Sequence, residues 1–400
     1  MEVMRGFPPP AEARPTLETW DRNPFNAWAF HNMRRLFPTA PIPRGGGPVW
    51  HLPSDLQDLD RLAFRGGSGN ETTVRGVLDA THTEGFILLH RGRILIEHYG
   101  NGLVPAAPHL VMSVTKSFVG TLFGIFEARG LFRFDDPLTR FVPELARTAY
   151  DGATIGQVLD MQSGVRFNED YTDPLSDAAR IDWALGWKPL PPDEPYRSID
   201  QLILSLTTRE REHGSAFRYR SIETDVLGWV IASATQTDLA TLLSQELWHP
   251  MGMEFDADIA LDRAGVGLAD GGMSAALRDL ARFGQMYLDD GVANGRAIVP
   301  AAWVRACRTG DPEKFNDPAF GGPQPGHAYS RQWWVRNVTT GAAMARGIHG
   351  QLVYVDPPRA LVAVKLSSWP TARNLALLGD TMAMIDAIGA SLSEARAPRS

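Results

Sequence analysis

The chain has 400 residues, of which 44% are hydrophobic and 21% charged, and its formal net charge is −7. This composition is typical of a globular protein and excludes the disordered, collagen-like and coiled-coil classes, while the length allows two or three domains. The protein has more acidic than basic residues, and its sequence contains no block of like charges, so a nucleic-acid partner is not expected. Because Cys307 is the only cysteine, no disulfide can form within the chain.

The beginning of the chain predicts an extended segment and no targeting signal. It lacks the charged start and apolar run of a secretory signal, and no stretch reaches the ~18–20 uninterrupted apolar residues of a membrane helix. We therefore expect a cytoplasmic protein without a membrane partner. Residues 1–50 include three consecutive prolines at 8–10 and three consecutive glycines at 45–47. They predict an N-terminal arm that lies over the surface.

A β-hairpin and a long helix are predicted next. Strand-like runs at 86–90 and 93–99 flank Arg91-Gly92, a two-residue turn in which the glycine can take a positive φ. A helix is predicted from Ser113 to Arg129, because apolar residues recur there at three- and four-residue spacing.

Helical patterns dominate the middle of the chain, and strand patterns return near its end. Helices are predicted at 154–161, 224–235, 239–248, 274–288 and 375–393, and strands at 332–338, 348–355 and 361–367. This order predicts an α/β (α+β) protein with a discontinuous sheet domain, residues 51–130 plus 327–400. Residues 131–326 are predicted to form an inserted helical domain.

The sharpest chemical signal is the segment Ser113-Val-Thr-Lys116. Residues three apart share one face of a helix, so the lysine amine can reach the serine hydroxyl. Serine is a weak nucleophile until a base removes its proton, and burial or nearby positive charge can lower a lysine pKa into the working range. A backbone N–H at the helix start is suited to hold an oxyanion. Alternatively, Ser113 caps the helix and Lys116 is a solvated side chain.

The order of motifs along the chain resembles the serine hydrolases of the β-lactamase and penicillin-binding-protein superfamily. The matching segments after Ser113-Val-Thr-Lys116 are, in chain order, 135–138, 142–145, 154–164, Tyr219-Arg-Ser221, 250–253 and 271–284. A narrower likeness, to the 6-aminohexanoate-dimer (nylon-oligomer) hydrolases and their carboxylesterase relatives, is carried by 168–174, 331–334, 348–351 and 365–370.

The resemblance implies a fold and a mechanism. The fold would be β-lactamase-like, with an antiparallel sheet flanked by helices and an inserted all-helical domain. Ser113 would attack an acyl carbon and form an acyl-enzyme that water hydrolyses, while Lys116 and Tyr219 carry the protons. Which of these two deprotonates Ser113 stays open. The backbone amides of Ser113 and Ile348 would form the oxyanion hole, and neither a metal nor a cofactor is expected.

The same resemblance implies four substrate-binding residues. Tyr171 would reach the scissile amide nitrogen, and Asp182 would meet a free ammonium of the substrate. Asp270 falls on a variable position that is tied to amide activity, and Trp334 is expected to form a wall of the cleft. Alternatively, either aspartate is a solvated loop carboxylate and Trp334 is a core residue.

Two departures from the superfamily pattern narrow the predicted function. No Lys-Thr-Gly precedes Ile348, and Tyr219 is followed by Arg-Ser where Ser-Asn is usual. Enzymes that hold the carboxylate of a β-lactam use a cation and hydroxyls there, although Arg346 could supply a cation. We therefore predict hydrolysis of small-molecule substrates, namely short-chain esters and linear amides such as 6-aminohexanoate oligomers. There are three alternatives: an acyltransferase, a β-lactamase or DD-peptidase-like penicillin-binding enzyme, and a catalytically inactive binding module. The resemblance also suggests that the protein forms a homodimer.

Overall fold

The computed structural model describes residues 2–320, 322 and 324–394. Its strands are β1 Thr39–Ile42, β2 Ala63–Arg65, β3 Glu71–Thr73, β4 Thr83–His90, β5 Arg93–Tyr99, β6 His109–Leu110, β7 Ala257–Ala260, β8 Met273–Ala275, β9 Val292–Ala293, β10 Arg296–Ala297, β11 Ala328–Ser330, β12 Trp333–Asn337, β13 Ala342–Gly347, β14 Gln351–Asp356 and β15 Leu361–Ser367. Its α-helices are α1 Phe25–Ala29, α2 Met33–Leu36, α3 Val74–Ala80, α4 Thr115–Ala128, α5 Ile155–Leu159, α6 Asp177–Leu185, α7 Ile199–Ser205, α8 Ile222–Thr235, α9 Leu239–Leu243, α10 His249–Met251, α11 Leu277–Leu288, α12 Ala301–Cys307 and α13 Leu375–Glu394.

The main sheet has seven antiparallel strands in the order β11-β12-β13-β14-β15-β4-β5. It joins distant parts of the chain, because β15 pairs with β4. Side chains of a strand point alternately to opposite faces. Along β4, Ile87 and Leu89 accordingly belong to one hydrophobic cluster, and Phe86 and Leu88 to another. Helix α11 covers the first face, while α3 and α13 cover the second.

A smaller sheet has four antiparallel strands in the order β1-β7-β8-β6 and lies beside the turn that carries Ser113. Strand β1 belongs to the N-terminal segment that we expected to lie over the surface. Part of that segment is buried instead, because Trp20 and Phe30 are at most 2% exposed. The Trp20 indole Nε1 donates a hydrogen bond to the carbonyl of Trp187 at 2.8 Å. The segment therefore contributes to the core.

One hydrophobic cluster contains residues from all three segments of the predicted domain organisation. Examples are Phe30 from the N-terminal segment, Phe118 from the predicted sheet domain and Trp248 from the predicted helical domain. The division into a sheet domain and an inserted helical domain remains a prediction.

Several predicted elements have corrected boundaries. The helix predicted at 274–288 begins only at Leu277, because Ser274 lies in β8 and pairs with Leu110. The strand predicted at 348–355 begins only at Gln351, because residues 348–350 form a 3₁₀ turn in which His349 has a φ of +59°. Strand β13 was not predicted, since its alanine-rich sequence is a poor strand former.

The helix Leu375–Ser393 is long and apolar enough by composition to cross a membrane, and a bent pair, Ile222–Thr235 with Leu239–Met251, passes the same test when taken together. Core helices of globular proteins often satisfy this test. In this structure Met384 and Ile388 of α13 are fully buried in the cluster on the second face of the main sheet.

Candidate active site

The nucleophile candidate Ser113 lies on a short turn that is held from two sides. The 3₁₀ turn Met112–Val114 leads directly into α4, and Met112 has a φ of +49°. This left-handed conformation is strained for a side-chain-bearing residue and must be stabilised by its surroundings. The Thr115 hydroxyl donates to the Met112 carbonyl at 2.7 Å and accepts from the Met273 N–H at 3.1 Å. Strand β8 thus fixes the orientation of the turn.

Lys116 is 1% exposed, and its ammonium makes three hydrogen bonds. Nζ donates to Ser113 Oγ at 2.9 Å, to Ser221 Oγ at 3.1 Å and to the carbonyl of Asp270 at 2.5 Å. A buried lysine needs this full set of acceptors. The reading of Lys116 as a solvated side chain is therefore wrong.

The charge state of Lys116 differs from the sequence-based expectation. Burial alone would lower the pKa of its ammonium, but the surrounding acidic groups Tyr219, Asp270, Glu169 and Asp225 outweigh burial, and the net pKa is raised. Lys116 is therefore an ammonium in the resting site. Some other group must take its proton before its amine can act as a base.

Tyr219 lies against both Ser113 and Lys116. Its ring stacks on Trp334 with centroids 5.2 Å apart, and Lys116 Nζ lies 5.4 Å from the Tyr219 centroid. The backbone N–H of Tyr219 donates to Asp317 at 2.9 Å, which fixes this loop. Burial raises the pKa of the phenol, although the Lys116 charge and a hydrogen bond with Ser113 oppose this rise. Tyr219 is therefore a protonated phenol, suited to donate a proton.

Ile348 follows a glycine that packs directly against the nucleophile turn. A Cβ atom built on Gly347 would lie 2.5 Å from the carbonyl oxygen of Val111 and 3.0 Å from Met112 Cβ. Only glycine permits so close an approach. The end of β13 thus brings the Ile348 backbone to the same side of the cleft as Ser113.

The cleft has two lobes that share Ser113, Tyr171 and Ile348 in their walls. The acidic lobe has a volume of about 530 Å³, and its charged lining residues are Glu18, Asp21, Arg22, Glu169, Asp173, Asp182, Lys188 and Asp270. The basic lobe has a volume of about 50 Å³, and its walls include Tyr219, Trp334, Arg346 and Arg373. The predicted site residues therefore converge on one cleft, with Lys116 directly behind Ser113.

Asp182 lies on α6 in the wall of the acidic lobe. Burial raises the pKa of its carboxyl to about 7, with a further contribution from the negative charge of Asp21, while Lys188 lowers it. Lys188 itself forms an ion pair with Asp21. Asp182 is accordingly a carboxyl group that changes charge near neutral pH.

Sequence reasoning did not single out Glu169 and Ser221, which extend the hydrogen-bond network of the site. The Glu169 carboxylate accepts from the Ser221 hydroxyl and from the Tyr171 phenol, both at 2.5 Å, and from the Ser221 N–H at 2.8 Å. A continuous chain therefore runs from Ser113 through Lys116 and Ser221 to Glu169. The two residues lie inside the segments 168–174 and 219–221 that carried the resemblance, which was the available signal. Within the described part of the chain, no group of three or more His, Cys, Asp or Glu side chains could hold a metal ion.

Comparisons with known proteins agree with this geometry. Residues 70–381 match the Beta-lactamase family model. The 6-aminohexanoate-dimer hydrolase of Paenarthrobacter ureafaciens is 38% identical over 366 residues, which cover 91% of each chain. A solved Bacillus anthracis structure with a provisional assignment as 6-aminohexanoate-dimer hydrolase has a TM-score of 0.87 and 27% identity, covering 95% of this chain and 97% of its own.

More distant structures share only the fold. EstCE1, described as a hydrolase with promiscuous acyltransferase activity, has a TM-score of 0.60 and 17% identity, covering 79% of this chain and 97% of its own. These matches confirm the β-lactamase-like fold and the resemblance derived from the motifs. The chain belongs to the beta-lactamase family and is one of its hydrolases.

Proposed function

We propose that the protein hydrolyses short-chain carboxylic esters and linear amides, including 6-aminohexanoate oligomers, through an acyl-enzyme on Ser113. The observation that carries this proposal is the contact of Ser113 Oγ with the buried Lys116 ammonium at 2.9 Å, beside the Tyr219 phenol. The name of the P. ureafaciens relative supports the amide part of the proposal.

The reaction begins with attack of Ser113 Oγ on the acyl carbon. The backbone amides of Ser113 and Ile348 are the candidates to stabilise the oxyanion that forms. Tyr219 donates its proton to the leaving alkoxide or amine, and water then hydrolyses the acyl-enzyme. Amide cleavage depends more on this proton than ester cleavage does, because an amine leaves only after protonation.

The hydrogen-bonded chain behind Ser113 offers an acceptor for the serine proton. Burial raises the pKa of Glu169, so its carboxylate can accept a proton that Lys116 passes on through the Ser221 hydroxyl. Ser221 receives one proton and donates another, and the Lys116 amine is then free to deprotonate Ser113. Tyr219 in its ionised form is the alternative base.

The acidic lobe supports substrates with a cationic acyl group. Its volume of about 530 Å³ has room for an aliphatic chain, and the Asp182 carboxylate can pair with an ammonium at the end of that chain. The Asp270 carboxylate also lines this lobe, although its Oδ2 lies 3.8 Å from Lys116 Nζ and shares that charge.

The test is incubation with p-nitrophenyl acetate and with the linear 6-aminohexanoate dimer. We expect turnover of both and, in mass spectra of the quenched enzyme, an acyl adduct on Ser113. Ser113→Ala serves as the blank. Absence of both an adduct and turnover above that blank would exclude the proposal.

The same assay separates the alternative functions. Ester products formed with an added alcohol would indicate acyl transfer, and a stable adduct with benzylpenicillin would indicate a penicillin-binding enzyme. A fluorophosphonate that fails to label Ser113 would indicate a binding module without catalysis.

A further inference from the structure

A third cavity lies outside the active-site cleft, between helices α7, α8 and α9 and strand β7. Its volume of about 450 Å³ falls within the range of about 300–1,000 Å³ that is typical of small-molecule sites. Val266, which also lies in its wall, is 52% exposed, so the cavity opens to solvent there. The larger apolar side chains that line it are Ile199, Ile203, Trp229, Leu239, Ile259 and Leu261.

The segment 265–271 separates this cavity from the acidic lobe of the active site. Residues 265–267 line the third cavity, whereas Leu268, Asp270 and Gly271 line the acidic lobe. A Cβ on Gly228 of α8 would lie 2.8 Å from Ala269 Cβ, so α8 packs tightly against this segment. The two cavities share no wall residue. The third cavity is therefore adjacent to the active site but distinct from it.

The walls of the third cavity are apolar and carry only negative charge. They include Asp200, Asp225 and Asp238, and no lysine, arginine or histidine is found among the described residues that form them. Both oxygens of Asp238 accept hydrogen bonds from Thr241, at 2.9 and 2.6 Å, and Asp200 accepts from the Ser198 hydroxyl. Such walls favour a ligand that combines a hydrocarbon body with a positive charge.

Asp225 supplies a specific partner for that charge. Its side chain is 5% exposed, and Oδ1 accepts hydrogen bonds from the N–H groups of Ala269 at 3.0 Å and Asp270 at 3.1 Å. Oδ2 is buried and has no hydrogen-bond partner within the part of the chain that the structure describes. A buried polar atom without a partner is costly. A donor on a ligand in the cavity would remove this cost.

An amine suits Asp225 in either protonation state of the carboxyl group. Burial and the neighbouring Asp270 raise the pKa of Asp225, although the Lys116 charge opposes this rise. If the carboxyl carries a proton, a neutral amine nitrogen can take it, which leaves an ammonium paired with a carboxylate. If the carboxyl is already ionised, an ammonium pairs with it directly. A charge-assisted pair of this kind is stronger than the hydrogen bond of a neutral alcohol.

We propose that the third cavity is a second ligand site, which binds a small apolar amine with its hydrocarbon part against the apolar walls and its nitrogen on Asp225. The site does not depend on the hydrolase function proposed above, so either proposal can fail without the other.

The experiment locates a bound amine by fluorine NMR. The probe is 2-phenylethylamine, and the protein carries 5-fluorotryptophan at its 11 tryptophan positions. Trp229 lines the third cavity, whereas Trp183 and Trp187 line the acidic lobe, which also accepts amines in the function proposed above. The three resonances are assigned by substitution of each tryptophan with phenylalanine. The shifted resonances then show which cavity the probe enters.

We expect 2-phenylethylamine to shift the Trp229 resonance in a saturable titration. The uncharged isostere 2-phenylethanol should bind there about tenfold more weakly, as is common when a charge-assisted contact is lost. Asp225→Asn keeps an oxygen that can accept from Ala269 and Asp270 but cannot form the ion pair, so it should reduce the preference for the amine to about one. Asp200→Asn removes the same charge from the same walls and should keep the preference.

A second pair of variants tests the cavity itself. Ala232 of α8 lies in its wall, and Ala232→Phe should fill the space and abolish the Trp229 shift. Ala234→Phe is the matched control, because Ala234 lies on the same helix outside the walls. This control should keep the native titration. Native positions of the Trp183 and Trp187 resonances show that both variants are folded.

Several results would overturn the proposal. A probe that shifts only Trp183 and Trp187 binds the acidic lobe alone. Equal affinities of the native protein for the amine and the alcohol, or an equal loss of preference in Asp225→Asn and Asp200→Asn, would exclude the pairing with Asp225. A native titration in Ala232→Phe would place the probe outside the third cavity.

Discussion

Gly347 determines how closely the strand that leads to Ile348 approaches the nucleophile turn. In Gly347→Ala the added Cβ would lie 2.5 Å from the Val111 carbonyl oxygen, so β13 must move away from Ser113. We expect kcat/KM for p-nitrophenyl acetate to fall by about 10²-fold, which is typical for the loss of one oxyanion donor. Gly46→Ala is the control, because a Cβ there meets nothing within 4 Å. Native-like kinetics of Gly347→Ala would contradict the placement of the oxyanion hole.

Asp182 should make the recognition of amine-bearing substrates depend on pH. Its carboxyl, with a pKa of about 7, is neutral below that pH and cannot pair with an ammonium. KM for the 6-aminohexanoate dimer should therefore rise as the pH falls through about 7, whereas KM for an acetyl ester should not follow this profile. Asp182→Asn should raise KM for the dimer at every pH and abolish this pH dependence. An unchanged profile in that variant would assign the titration to another group.

Glu169 should affect the rate of the chemical step more than substrate binding. Glu169→Gln keeps an oxygen that can accept a hydrogen bond from Ser221 but can no longer take a proton. We expect kcat to fall at least tenfold for esters and amides, within the usual range for general acid–base groups. Ser221→Ala interrupts the same chain and should have a similar effect. A native kcat with an altered KM would show that Glu169 only shapes the acidic lobe.

At the scale of elements, the packing of α11 on the main sheet explains the position of a glycine in the segment 271–284. A Cβ on Gly284 would lie 2.5 Å from Val362 Cγ1 and 3.1 Å from Val353 Cγ1. Gly284→Ala should therefore lower the free energy of unfolding by about 1–3 kcal/mol, as overpacked cores do.

The control for this prediction is the corresponding change in α13. A Cβ on Gly379 would have its nearest neighbour at 3.8 Å, so Gly379→Ala should gain about 0.5–1 kcal/mol from helix propensity. Denaturant titration of both variants measures the two effects. Equal changes in both variants would show that the α11–sheet contact is not tight.

Elements with long, strongly patterned sequences could be predicted from the sequence, and short ones could not. The strand at 361–367 was predicted with its observed boundaries, because five of its seven residues are apolar. Ser274 was assigned to a helix, since a three-residue strand such as β8 carries no pattern of its own. Its partner Leu110 lies far away in the chain, and only the folded structure shows that pairing.

In the active site, too, residues that are close in the sequence could be predicted, and contacts between distant segments could not. Ser113 and Lys116 could be found because one helical turn joins them. The influence of Glu169 on Lys116 depends on side chains from separate loops, so it follows only from the folded structure.

At the scale of the whole molecule, the buried Lys365 should make stability depend on pH. Its side chain is fully buried in β15, donates to the Thr81 carbonyl at 3.2 Å and contacts the Ser367 hydroxyl. Burial lowers the pKa of Lys365 to about 7, although Glu84 opposes this shift. In the unfolded chain a lysine has a pKa of about 10.4. Between these values the unfolded state binds the extra proton, so this group makes stability rise with pH.

Lys365→Met tests this linkage. Removal of the buried amine should raise the free energy of unfolding at about pH 7.5 by ~1–3 kcal/mol and flatten its rise towards about pH 10. Unfolding titrations at several pH values measure both effects. Identical pH slopes in the native protein and in Lys365→Met would show that Lys365 is already charged in the folded state.

The small sheet beside Ser113 has a consequence for the smallest active form of the enzyme. Strand β1 pairs with β7, β7 pairs with β8, and Met273 of β8 holds Val111 and Thr115 around the nucleophile. A protein trimmed to the segment 70–381 would keep the candidate site residues. It would nevertheless lose strand β1, which pairs with β7. It would also lose Trp20, whose indole donates a hydrogen bond to Trp187 in the wall of the acidic lobe. The N-terminal segment, which precedes residues 70–381, is therefore part of the structure that orients Ser113.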